Sequence, residues 1–410
     1  MKFTVFILLV LLSGHLLFAQ KNEEIGVPLS LEKTIKITGT VSQWLMPGNP
    51  SEPTFLAASI GKNALSRRER GGASSIPFPP DFIRFIASKN GRFFGVLSRR
   101  ENESDIHATL TLTVYTADGK RLFDIQKTHF FDDSYPAIAI SDRDGAVIFG
   151  QNSTAILQFY NPRGSLQTEI KLFSGAAYDL ERALTVDISE DGATIVVAAG
   201  ERAASPAGAD VPNPSGAPQL FVFDKNGNEQ WRQALPGANT SNVAISPDGS
   251  RIAVTSHTIS LRGELEKTTI LFDQHQKEIT RIPVLFKNAY FSADGRFLVL
   301  AENYRAVGVD ANTGKQRWQF QLPHQQGMIT ALQTSNSGAV TAMLIGKSEF
   351  RDNKFIFTHS RLKLLNAAGK LLRDLPIKYQ NFEKPALKLS PDGSHIFIGF
   401  QNESQIYELP

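Results

Sequence analysis

Cysteine is absent from the 410 residues. That excludes a disulfide framework, a thiolate metal site and a cysteine nucleophile, and it leaves nothing to lipidate behind an N-terminal leader. A one-signed charge excess is missing as well. The 43 Lys and Arg are nearly matched by 40 Asp and Glu, so no strong field for nucleic acid or anionic lipid is expected. No apolar run beyond the N-terminus reaches the ~20 residues that a spanning helix needs. No long Pro/Ser linker divides the chain either, although about 390 residues beyond the leader exceed the ~250–300 at which one hydrophobic core stops growing. A repeat array satisfies both conditions, and 31 Gly and 28 Phe spread evenly along the chain agree with it.

The N-terminus itself is apolar. Lys2 precedes a stretch from Phe3 to Phe18 broken only by Thr4, Ser13, Gly14 and His15, and Leu17-Phe18-Ala19 suits signal peptidase before Gln20. This predicts a leader over residues 1–19 and a periplasmic or secreted protein without a transmembrane segment after cleavage. An uncleaved N-terminal anchor is the alternative.

One short signal recurs along the rest: an apolar strand, a serine-led turn ending in glycine, and a second apolar strand. It reads Ser88-Lys-Asn-Gly91, Ser141-Asp-Arg-Asp-Gly145, Ser189-Glu-Asp-Gly192, Ser246-Pro-Asp-Gly249, Ser292-Ala-Asp-Gly295, Ser335-Asn-Ser-Gly338 and Ser390-Pro-Asp-Gly393. Successive glycines lie 54, 47, 57, 46, 43 and 55 residues apart, close to the ~40–50 of a propeller blade. A second turn follows within the unit, as at Ala117-Asp-Gly-Lys120, Asn161-Pro-Arg-Gly164, Lys225-Asn-Gly227, Asn312-Thr-Gly-Lys315 and Ala367-Ala-Gly-Lys370. In the fourth unit Gln274-His-Gln-Lys277 stands there without its glycine. Asp-Gly and Asn-Gly between apolar runs are hairpin turns, because glycine takes positive φ freely. For the same reason the repeated Asp-Gly pairs, Asp142 and Asp144 included, read as turns rather than calcium loops.

Each unit is thus a four-stranded meander. The first two strands are almost solidly apolar, as in Ala137-Ile-Ala-Ile140 and Val147-Ile-Phe149, and suit the covered middle of a stack. The fourth alternates: Trp318, Phe320 and Leu322 inward, Arg317, Gln319 and Gln321 outward. The expected fold is all-β, a seven-bladed β-propeller of four-stranded antiparallel blades over 81–410. Its seventh unit lacks a fourth strand. Lys33-Thr-Ile-Lys-Ile-Thr38 alternates and is expected to fill that place, because a closed ring leaves no open edge. The segment 20–80 holds this strand. Its remainder, 41–80, with Trp44, Arg67-Arg-Glu-Arg70 and Pro77, reads as a decorated loop.

The run Ser246-Pro-Asp-Gly-Ser-Arg-Ile-Ala-Val-Thr-Ser256 resembles the repeat core of the YVTN and TolB-like, WD-repeat-related propellers. Val309-Asp-Ala-Asn-Thr-Gly-Lys-Gln-Arg-Trp318 is similar to the tryptophan-docking repeat of quinoprotein-like propellers, with a shorter echo from Asp224 to Trp231. The resemblance covers about 80–410 and implies the fold; such propellers include binding modules, scaffolds and enzymes. No unit carries a Trp-Asp dipeptide, and only two carry the docking tryptophan. Trp231 and Trp318 are accordingly expected to pack between blades, and no cofactor is implied. A quinone-dependent dehydrogenase is disfavoured.

Both tight turns of a unit fall on one rim of such a wheel. The longer segments, about Ser98–Ala108, Gly200–Pro218, His257–Lys267 and Gly346–His359, fall on the other. That rim, with the channel mouth, is the expected binding face for a protein, peptide or glycan. Its connections hold His129, Phe130, Phe131, Asp132, Asp133 and Tyr135, then Tyr178, Asp179 and Arg182, then Tyr379 and Phe382, an aromatic and polar mixture suited to recognition. His257 and His324 complete the candidate set. Convergence of His129, His257 and His324 with Asp132 or Asp133 would permit a metal-assisted lyase or lactonase, but no histidine shows local ligand spacing. The preferred reading is a non-enzymatic binding or scaffold module.

Overall fold

Seven antiparallel blades make up the structure, a computed structural model that describes residues 30–45, 55–59, 64–69, 72–77, 79, 81–101, 107–130, 136–152, 154–173, 181–202, 218–259, 263–351, 354–377 and 386–409. The leader expected over 1–19 lies outside the described residues. Blade one comprises strands Phe82–Ala87, Phe93–Glu101, His107–Thr116 and Arg121–Phe130, hydrogen-bonded in chain order. The next five repeat that order, with first strands Ala137–Ile140, Glu181–Ile188, Val243–Ile245, Asn288–Phe291 and Met328–Thr334. Blade seven runs Ala386–Leu389, His395–Gly399 and Gln401–Glu408.

The outer place in blade seven is taken by the N-terminal strand Ser30–Leu45, which pairs Lys33 with Ile406, Ile35 with Ser404 and Lys36 with Glu403. Its far half continues past a register shift and pairs Val41 with Ser59 and Trp44 with Ala57. From there Phe55–Ser59, Ala64–Glu69 and Gly72–Pro77 extend the sheet. The segment 41–80 is therefore largely a meander rather than a loop, and Arg67 and Arg68 are strand residues opposite Leu56 and Phe55.

The turn serines explain the regularity. All seven are buried, and each glycine closing its turn has positive φ, between 65° and 81°. Ser246 Oγ accepts the Arg251 N–H at 2.9 Å and donates to Asp248 at 2.6 Å. Ser189, Ser292 and Ser390 repeat the pattern with Asp191, Asp294 and Asp392, each at 2.6 Å. Neighbouring turns are then tied around the rim, Glu190 N–H to Pro247 O, Ala293 N–H to Asn336 O and Asn336 N–H to Pro391 O, all at 2.8 Å.

The core lies between blades. Ile148, Leu157 and Phe159 of blade two pack on Ile188, Ile195 and Phe221 of blade three, and comparable clusters recur between other neighbours. The outer strand Gln316–Gln321 alternates as expected, with Trp318 buried and Arg317, Gln319 and Gln321 exposed.

Candidate functional site

The rim opposite the tight turns carries hairpins where loops were expected. In blade six, Val340–Arg351 and Lys354–Asn366 stay paired to Arg351–Lys354. Blade four continues through Ile259–Leu265 and blade one through Glu101–Ala108. Three of the four long segments are thus strand arms overrunning the wheel, and most of the fourth, 203–217, lies outside the described residues. Phe350 stands near the end of the longest arm, 62% exposed.

The candidate residues distribute as follows. His129 and Phe130 end the outer strand Arg121–Phe130, and Arg182 lies in the first strand of blade three, so all three belong to strands rather than connections. Phe131, Asp132, Asp133, Tyr135, Tyr178, Asp179, Tyr379 and Phe382 lie outside the described residues. His257 sits in the strand Arg251–Ile259, where its N–H and carbonyl pair with Asn239, both at 2.9 Å. His324 opens a short 3-10 turn between blades five and six, exposed, with its ring 4.0 Å from that of Tyr304. Both face the hairpin rim. Among the described residues no three His, Asp or Glu side chains gather within metal-ligating reach. Beside them Lys267 of blade four pairs with Glu302 of blade five at 2.5 Å, and Glu302 also accepts the Leu285 N–H at 2.7 Å.

The axis holds further polar chemistry. Lys89 of blade one lies 3.0 Å from Asp187 of blade three and donates to the Ile245 carbonyl of blade four at 2.6 Å. One lysine side chain therefore spans the channel at the tight-turn rim. Asp187 also accepts the Ile245 N–H at 2.9 Å. Asp142 is only 2% exposed, with one oxygen on the Asn90 N–H at 2.8 Å and the other buried without a partner. Burial lowers the pKa of Lys388, while the Asp142 carboxylate pushes it back up. Burial drives the Tyr290 hydroxyl up to about 12, against its hydrogen bond with Gln333. Asp187, Tyr290, Gln333 and Lys388 all stand two residues before a turn serine. Superposing the repeats on their serines would have found these four, although the same position holds Ile86, Ala139 and Ala244 in the other blades.

A cleft of about 520 Å3 opens between blades three and four on the tight-turn rim, beside Trp231 and the turn Gln274–Gln276. Trp231 is half-buried, and its indole N–H donates to Gln274 O at 3.0 Å. Trp318, at the same repeat position in blade five, is 6% exposed and covered by blade six. A smaller cleft, about 230 Å3, lies between blades two and three. Both tryptophans contact the following blade, as the inter-blade expectation held.

By sequence, the chain matches no protein-family profile and none of the curated proteins. By structure it is similar to the C-terminal WD40 domain of Sif2, with a TM-score of 0.58 and 12% identity over 93% of this chain and 98% of that one. It is likewise similar to the Dos1 propeller, with a TM-score of 0.55 and 11% identity over 94% of this chain and 97% of that one. The fold class is a WD-repeat-like β-propeller. Among the described residues no helix is long and apolar enough to cross a membrane.

Proposed function

We propose that the chain is an exported β-propeller that acts as a non-enzymatic binding or scaffold module through its hairpin rim. The observation that carries this reading is the gathering of the strand arms of blades one, four and six on one rim, with Phe350 62% exposed on the longest. A rigid wheel pre-orders such arms, so binding sacrifices little conformational entropy. Aromatic side chains, phenylalanine included, are enriched in protein interfaces. The partner class is a protein, peptide or glycan. The apolar leader supports placement in the periplasm or outside the cell. Within propellers, the Ser-Pro-Asp-Gly turns and two docking tryptophans support a place beside the YVTN/TolB-like and quinoprotein-like groups.

Two measurements test the reading. Expression of the whole chain should deliver a product beginning near Gln20 outside the cytoplasm; a full-length cytoplasmic product would refute export. Replacing 347–358 by a two-residue turn should leave the thermal midpoint within a few degrees and abolish recovery of the partner captured by the parent protein. Equal recovery by both forms would place binding elsewhere.

A further inference from the structure

The turn Asp273–Lys277 is the one second turn that lacks glycine, and it borders the cleft between blades three and four. Gln276 holds the glycine position with φ 68°, in the left-handed region, which disfavours a residue that carries a Cβ. The turn closes with Gln276 N–H on Asp273 O at 3.3 Å, against 2.8 Å for Gly369 on Asn366 in the equivalent turn of blade six. Backbone strain kept at one repeat out of several calls for a local reason.

Comparison with blade six supplies it. There the turn glycine lies directly on the preceding tryptophan: a Cβ built on Gly369 would come 2.4 Å from Trp318 Cβ. That contact buries the indole. In blade four a Gln side chain replaces the glycine, its amide bonded to Arg232 O at 2.9 Å and Gln233 Oε1 at 3.0 Å. The turn cannot settle onto Trp231, which stays half-buried beside a cleft of about 520 Å3. The rest of the lining includes Thr194, Gln230, Gln274 and His275. The one carboxylate, Asp224, is occupied by the Asn226 and Asn228 N–H groups at 2.8 and 2.9 Å.

We infer that this cleft is a saccharide-binding site, with Trp231 as the platform for one sugar ring and Gln230, Gln274 and His275 as hydroxyl partners. A pyranose presents an apolar C–H face edged by groups that both donate and accept. The cleft offers an indole bordered by amides, a hydroxyl and an imidazole that do the same, and its one carboxylate, Asp224, is already bonded to two backbone N–H groups. Its volume falls within the ~300–1,000 Å3 of small-ligand sites. The site lies on the rim opposite the strand arms and is independent of what they bind.

Titration calorimetry on the whole protein tests it, using trisaccharides of glucose, N-acetylglucosamine, mannose and galactose. At least one should bind, and Trp231→Ala should abolish its heat. Because Trp231→Ala also removes packing, Gln276→Gly supplies the second arm: it lets the turn close on the indole, so binding should be lost while the thermal midpoint holds or rises. No heat with any of the four, or binding that survives in Gln276→Gly, overturns the inference.

Discussion

Lys363 is a charged side chain in a place built for apolar ones. It is 5% exposed between the apolar Leu362 and Leu364 of its strand, and its ammonium meets Asp374 at 2.5 Å while Arg361 binds the same carboxylate at 2.7 Å. Burial alone would raise the Asp374 pKa, but the hydrogen bonds from Arg361 and Lys363 outweigh it and hold the group below its usual range. A carboxylate depressed in the fold stabilises it above the unfolded value of ~4 and loses that contribution as pH falls through the folded value. The urea midpoint should therefore fall below about pH 4, and Asp374→Asn should flatten that part of the acid limb. At neutral pH the same variant strands a buried ammonium and should cost about 2–3 kcal/mol. An unchanged acid limb in Asp374→Asn would show that other carboxylates dominate it. Asp142, 2% exposed, belongs to the same class of costly buried charge, but it sits at the axis, where no neighbour in sequence announces it.

Among the elements, the serine turn does the most local work. Ser246→Ala leaves the Arg251 N–H without its acceptor and takes one of its donors from Asp248, and the unmet buried group should cost about 1–3 kcal/mol. Ser250→Ala, whose hydroxyl also meets Asp248 but lies half-buried, should cost less. Chemical denaturation of the two variants compares them directly, and equal losses would mean that the turn does not depend on the buried hydroxyl. These turns were legible because everything they need is local: a glycine at positive φ, a serine five residues before the N–H it accepts, an aspartate two residues on. The strand arms were not. The Val340–Asn366 hairpin overruns the wheel, so its far end is not packed on both faces, and the apolar run that marks a buried strand gives way to Lys347, Ser348 and Glu349. Such a pattern reads as loop although the backbone ladder continues to Arg351–Lys354.

On the scale of the whole molecule, blade seven joins the two ends of the chain. Ile35 lies opposite Ser404 in that ladder. Ile35→Pro removes a ladder donor and imposes a φ that a paired strand does not favour. The expected result is a lower thermal midpoint, with concentration-dependent self-association read by light scattering as Gln401–Glu408 becomes an open edge. A monomer of unchanged midpoint would show that this pairing contributes nothing. The blade count, the turn positions and the alternation of the outer strands followed from the sequence alone, since each depends on φ preference, hydrogen bonds within five residues and a two-residue period. The reach of Lys89 to Ile245, 156 positions away, and the approach of Lys388 to Asp142 were decided only by tertiary structure. They depend on how each blade is angled and spaced against the next. That geometry arises from the summed packing of the interfaces, and no stretch of sequence encodes it by itself.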